Sequence, residues 1–319
     1  MRMAIVTDKN VSSAIAMLGA LHAGADTLLL DPSTPEDEVR ATLTSFRCRL
    51  LVADDRYASA GWETISSEAL SAPPERGTVE GAESRSGRWA FRWNGSFALQ
   101  PNTVLLGWAR AFRAFAALGT GDLFIVSRGL FTWEGVVGLL SPLTVGDTYW
   151  LPAHHEDTIR GAGLPLVGAW LDWAEAGAIL ETPDLARSVG AFEWVFVSVD
   201  SPIPVRKRRR LGRVLQTQVL TVFGTPGTGP IAASPRKWSI DEAVGTPVTG
   251  VDLLPLDERQ QLAQPPWHLL TGARIGVKSS YFVPEMEIEG PAAARVLEDG
   301  AIDTTAYGRM DANGLLYLL

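Results

Sequence analysis

Blocks of apolar residues alternate with polar stretches along the first fifty positions. Ala4-Ile5-Val6 is a short buried-type run, ended by Thr7-Asp8-Lys9-Asn10. From Asn10, a capping residue, Ala14, Met17, Leu18, Leu21 and His22 recur at three- and four-residue spacing, which predicts a helix closed by Gly24. Thr27–Leu30 is a second apolar run, stopped by Asp31-Pro32. Thr34 then predicts the start of a helix with Pro35 in its first turn and Glu36, Asp37 and Glu38 at its positive end. Leu50–Ala53 supplies a third strand. A β-α-β-α-β order implies a parallel sheet with covering helices. The loop after the first strand lacks the glycines that let a backbone approach a pyrophosphate, so a dinucleotide site is rejected.

The stretch from Ser71 to Arg88 is rich in Pro, Gly, Ser and charge and reads as a loop. After it, Pro101 opens a helix with Val104, Leu105, Trp108, Phe112, Phe115 and Leu118 on one broad face. Strands at Leu123–Val126, Thr148–Leu151, Leu164–Val167, Trp194–Val199 and Val219–Phe223 alternate with helices at Trp133–Leu140, from about Ala169, and near Val205–Leu215. From about Gly229, short apolar pieces sit between Pro, Gly and Asp turns, the spacing of a small β-barrel-like unit. The predicted class is therefore α/β, two parallel β-α-β subdomains with covering helices plus a small C-terminal β-barrel-like subdomain. The boundaries are 1–70, a linker at 71–92, then 93–228 and 229–319.

Composition narrows the function. A chain of 319 residues with 46% hydrophobic and 20% charged positions can bury a sizeable core, and its net charge of −8 argues against a nucleic-acid surface. Cys48 is the lone cysteine, so no intrachain disulfide can form. No apolar run approaches a membrane span, and the N-terminus lacks a leader's apolar stretch; the expected compartment is the cytoplasm, with no membrane partner.

Several strings carry a resemblance. Ala16 through Ala25 followed by Leu30-Asp31-Pro32, Gly135 through Pro152, Thr246-Pro247-Val248-Thr249-Gly250-Val251, and above all Asp299 through Tyr317 occur in one order across nearly the whole chain. Together they resemble the ANL superfamily of acyl- and aryl-CoA synthetases, peptide-synthetase adenylation domains and luciferases. The resemblance implies the large N-terminal body of an enzyme that activates a carboxylate with ATP. On that alignment the chain starts at the family's first strand and stops at Leu319, before the hinge and the mobile domain bearing the adenylation lysine.

The departures fall on the chemistry. The family's phosphate loop, rich in Ser, Thr and Gly and ending in Pro-Lys, corresponds to Trp93-Asn94-Gly95-Ser96-Phe97-Ala98, where Gly95 and Ser96 remain but Phe97 and Ala98 replace donors and no lysine follows. The family's Tyr-Gly-x-Thr-Glu, whose Glu helps hold magnesium, reads Phe223-Gly224-Thr225-Pro226-Gly227; Pro226 lacks hydroxyl and amide hydrogen, and Gly227 cannot ligate a hard cation. The ribose-gripping Asp of Thr-Gly-Asp aligns with Ala306. Asp303 is expected to face the other side of its strand. The resemblance thus implies a degenerate scaffold with no bound cofactor, no metal and no ATP-dependent adenylation.

Phe131, Thr132, Trp133 and Gly135 stand where the family lines its acyl pocket, with core packing as the alternative. Arg206-Lys207-Arg208-Arg209-Arg210 is a concentrated basic run in an acidic chain. It is either a solvated helix face or a docking patch for an acidic partner. His154-His155-Glu156-Asp157 reads as the start of a helix rather than a metal site. The expected partner is another protein, an acyl carrier protein or a companion synthase or ligase subunit, or an acyl group. The rival readings are rerouted chemistry on an acyl thioester or acyl adenylate, and an AMP-forming ligase subunit completed by a second chain.

Overall fold

The computed structural model describes residues 1–6, 11–53, 57, 62–66, 87–118, 123–144, 148–150, 166–181, 192–236, 240–259, 261, 263 and 271–319. Its first sheet is built on the apolar runs of the N-terminal unit: β1 (Arg2–Val6), β2 (Asp26–Leu30), β3 (Leu50–Ala53) and β4 (Glu63–Ser66), all parallel. Helices α1 (Val11–His22) and α2 (Glu36–Ser45) cover its two faces. Pro35, not Thr34, occupies the N-cap of α2, with no side-chain cap; the triple of acidic residues meets the helix dipole instead. Leu18 is exposed, so the buried stripe of α1 runs through Ala14, Met17 and Leu21.

The linker boundary at 71–92 requires correction. Strands β5 (Arg88–Trp93) and β6 (Ser96–Pro101) form an antiparallel hairpin that belongs to the first sheet, through pairing of β5 with β2. A much later strand, β16 (Glu287–Glu289), pairs with β6 and closes that edge, giving the order β16-β6-β5-β2-β1-β3-β4. Trp89 and Phe91 carry enough apolar surface to hold this charged, Arg-rich strand in a sheet.

The second unit begins with α3 (Asn102–Ala116). Its sheet contains β7 (Leu123–Val126), β8 (Thr148–Trp150), β9 (Leu166–Leu171), β10 (Trp194–Val199) and β11 (Gln218–Thr225), all parallel. Antiparallel β12 (Gly229–Ala233) and β13 (Thr246–Pro247) extend it past the expected boundary at 228. Helix α4 (Trp133–Leu143) joins α3 on one face; α5 (Trp173–Glu181) and α6 (Val205–Leu215) pack the other. Strand β9 runs on through Trp170, and α5 starts four residues later than Ala169. The shift follows from packing: Gly168 leaves room for the Trp194 ring, and Trp170 stacks on Phe112 at 4.4 Å. One apolar cluster runs from Ile5, Met17 and Leu29 through Trp89, Trp108 and Phe112 to Phe124 and Phe196, so the two large sheets share a core.

The C-terminal unit is a four-stranded antiparallel sheet of β14 (Val251–Leu256), β15 (Ala273–Ser279), β17 (Ile302–Met310) and β18 (Leu316–Leu318). Among the described residues no helix is long and apolar enough to cross a membrane.

Candidate functional site

The C-terminal ends of β10 and β11 meet the bulged middle of β17 and the tip of the β5–β6 hairpin. Between them lies a cleft of about 270 Å³ lined by Trp93, Asp200, Phe223, Gly224, Thr225, Pro226, Thr304, Thr305 and Ala306. Crevices at the carboxyl ends of parallel strands are where open α/β sheets bind ligands. Three separated stretches singled out in the sequence therefore converge on one place.

The stretch compared with a phosphate loop is a two-residue turn. Asn94 and Gly95 both have positive φ, 49° and 75°, the geometry of a type I′ hairpin. Ser96 is buried and its hydroxyl accepts from the Ala292 amide at 2.7 Å. Phe97 packs on Phe46 with ring centroids 5.1 Å apart. Neither side chain lines the cleft. Trp93 does, with Arg295 stacked over its ring at 5.0 Å.

Gly227 sits beneath the same ring. A Cβ added there would lie 2.5 Å from the indole. The position that aligns with a magnesium-holding glutamate therefore has no space for a side chain while Trp93 stays in place. Gln100 ties this turn down, donating from Nε2 to the carbonyls of Pro226 and Gly227 at 3.2 Å each.

Thr225 and Thr228 bond to each other at 2.8 Å, and Thr228 Oγ1 donates to the Gly229 carbonyl. Ala306 lines the cleft as the alignment placed it. Asp303 is fully buried and points away into an ion pair with the partly exposed Arg274, bonded at 2.8 and 2.5 Å, and accepts from the Thr305 amide. Hydrogen bonding to Asp303 pushes the Arg274 guanidinium pKa further up.

Thr305 and Asp200 escaped the sequence reading. Thr305 adopts φ 64°, unusual for a β-branched residue, at the register shift between β15 and β17. The gap-free alignment puts it opposite the glycine of Thr-Gly-Asp, so the signal was a glycine conformation carried by a threonine. Asp200, one residue beyond β10, was legible only as a carboxylate at a parallel strand's end.

The acyl-pocket candidates make packing and capping contacts. Thr132 caps α4, accepting from the Gly135 amide at 3.1 Å. The Trp133 ring lies edge-on to Trp170 at 5.7 Å and presses on Gly224, where an added Cβ would meet it at 2.7 Å. Phe131 packs beside Gly129, and Gly135 permits close approach of the Gly129 backbone. Behind them Glu134 is buried, and burial raises its carboxyl pKa against the lowering pull of Arg128, 3.5 Å away.

The basic run lies on α6, and four of its members have partners within the chain. Arg208 is buried and donates to the carbonyls of Val219, Ile240, Asp241 and Ala243. Burial lowers its pKa. Lys207 donates to the Trp173 carbonyl and lies over that ring, Arg209 pairs with Asp241, and Arg210 donates to the Leu180 carbonyl. Arg206, Arg209 and Arg210 are exposed. His154-His155-Glu156-Asp157 lies outside the described residues.

This arrangement of two shared-core sheets, a small β unit and a cleft at their meeting point is the fold of acyl-CoA and other AMP-forming ligases. ATP-bound MatB from Rhodopseudomonas palustris superposes with a TM-score of 0.82 at 18% identity, covering 100% of this chain and 68% of that one. O-succinylbenzoate coenzyme A synthetase from Bacillus subtilis gives 0.83 at 16%, with 100% and 68% covered. A malonyl-CoA ligase with methylmalonyl-CoA and AMP bound gives 0.82 at 19%, with 100% and 71% covered. No protein-family model and no curated protein matches the sequence.

Proposed function

We propose that this chain is a non-adenylating protein built on an acyl-CoA-synthetase-type body, acting as an accessory subunit that binds a partner protein or an acyl group in acyl metabolism. One observation carries the reading: the hairpin turn and the Trp93 indole occupy the side of the cleft where a triphosphate and its metal would need donors and carboxylates. A two-residue turn cannot wrap phosphate oxygens, and Gly227 has neither a side-chain ligand atom nor space for one. The partner proposed is a companion synthase or ligase subunit, or an acyl carrier protein, with the exposed Arg206, Arg209 and Arg210 of α6 as the candidate docking surface.

Isothermal titration with Mg-ATP and pyrophosphate exchange with a panel of carboxylic acids test this. Neither heat of binding nor exchange is expected; micromolar binding or exchange above background overturns the proposal. Rerouted chemistry on an acyl thioester needs an open apolar pocket between α4 and β11, and the seating of Trp133 on Gly224 counts against it.

A further inference from the structure

The cleft still has chemistry, and it is one-sided. Thr304 Oγ1 donates to the Ile275 carbonyl at 2.8 Å, and Thr305 Oγ1 donates to the Thr304 carbonyl at 2.5 Å. Because Thr228 directs its hydrogen to the Gly229 carbonyl, the hydrogen in the Thr225–Thr228 contact is Thr225's. The lining threonines thus aim their hydrogens into the protein, and the Thr225 and Thr304 oxygens each also accept an amide hydrogen, from Thr228 and Ala306, leaving acceptor capacity but no hydroxyl donor.

The amides of the β17 bulge behave alike. Thr305 N donates to Asp303 Oδ1 at 2.8 Å, and Ala306 N to Thr304 Oγ1 at 3.2 Å. Asp200 adds a carboxylate whose Oδ1 accepts from Ser201 Oγ at 3.0 Å, leaving its other lone pairs open. Among the described lining residues Asp200 is the one ionisable side chain. The remaining walls are aromatic or aliphatic: Trp93, Phe223, Pro226 and Ala306.

We infer that the cleft is a binding site for a small amine carried on an aromatic or aliphatic body, with Asp200 receiving the ammonium group. A carboxylate beside hydroxyls whose hydrogens are committed elsewhere favours N–H groups over phosphate or carboxylate, and flat π-faces attract a cation as well as an apolar ring. At about 270 Å³ the space suits a ligand smaller than a nucleotide. A strained Thr305 in the wall accords with a site held in shape for a ligand, since such backbone persists only where the surrounding structure holds it. The inference rests on the proposal that phosphates are not held here.

The test is titration of the full chain, by calorimetry and by thermal shift, with 2-phenylethylamine, 3-phenylpropionate and Mg-ATP. Binding and an upward Tm shift are expected for 2-phenylethylamine alone. Asp200→Asn is expected to weaken the amine by about tenfold or more, the loss typical of a charge-assisted contact, with the Tm of the free protein unchanged. Equal binding of the carboxylate, no binding of the amine, or an amine affinity unaltered in Asp200→Asn overturns the inference. Mg-ATP binding would instead overturn the non-adenylating proposal, so the two failures are distinguishable.

Discussion

Helix α6 and the cleft invert one another. The helix carries the densest charge in the chain, yet four of its five consecutive basic residues are tied to carbonyls or carboxylates of their own protein. The cleft carries a single ionisable side chain among its described lining residues, yet its threonine hydroxyls direct their hydrogens into the protein. Charge density in a sequence therefore says little until each donor's partner is known. A run of cations can be a fastening, and a stretch of Thr, Pro and Ala can be a receptor.

The sharpest way to break this comparison is at Arg208. Arg208→Met leaves several buried carbonyls without a donor and is expected to destabilise the protein by about 3–5 kcal/mol in urea unfolding. Arg206→Ala should fall within about 0.5 kcal/mol of the parent. Equal effects at the two positions would mean that Arg208 is no more a fastening than Arg206.

Next in size is the contact between Trp93 and Gly227. Gly227→Ala is expected to cost about 1–3 kcal/mol by overpacking against the indole. In a Trp93→Ala background the same substitution should be nearly neutral, giving a coupling of about 1 kcal/mol or more in a double-mutant cycle. An additive pair would mean that the ring does not hold the turn closed.

Smaller again is Thr305→Gly. Relief of the left-handed strain, reduced by glycine's extra freedom in the unfolded chain, should stabilise the protein by about 1 kcal/mol. A loss of stability would show that the threonine is held by more than its backbone.

The gentlest effect is a slope. The carboxyl of Glu134 has a folded-state pKa above its ordinary 4.5, chiefly from burial. The folded state then binds its proton more tightly than the unfolded state. Its contribution is full below 4.5 and is lost as pH rises through the folded value. Glu134→Gln should flatten that decline in a series of unfolding curves at increasing pH.

Much of the fold could be read from apolar runs, because strands buried on both faces allow little else: Leu50–Ala53, Leu123–Val126 and Trp194–Val199 lie where their composition put them. The β5–β6 hairpin was harder. Asn94-Gly95 between apolar-containing runs is a strong hairpin signal, but the family alignment drew it toward a loop. Arg208 was legible too, since it shares a stripe with Leu211 and Leu215 at helical spacing. Its burial depended on carbonyls more than thirty residues away, which no local pattern shows. For the cleft, the sequence gives residue types but not hydrogen directions. Whether Thr304 donates inward or outward is decided by the Ile275 carbonyl across a bulge.

Strand β16 has a consequence for biosynthesis. The outer rim of the first sheet is completed by residues 287–289, and Arg2 pairs with Glu289, 287 residues further along the chain. A nascent chain leaving the ribosome must hold the β6 rim open through synthesis of nearly two hundred further residues, an unguarded edge of the kind that recruits foreign strands. Late arrival of so distant a pairing should make folding slow, and chaperone demand should track how long that rim waits.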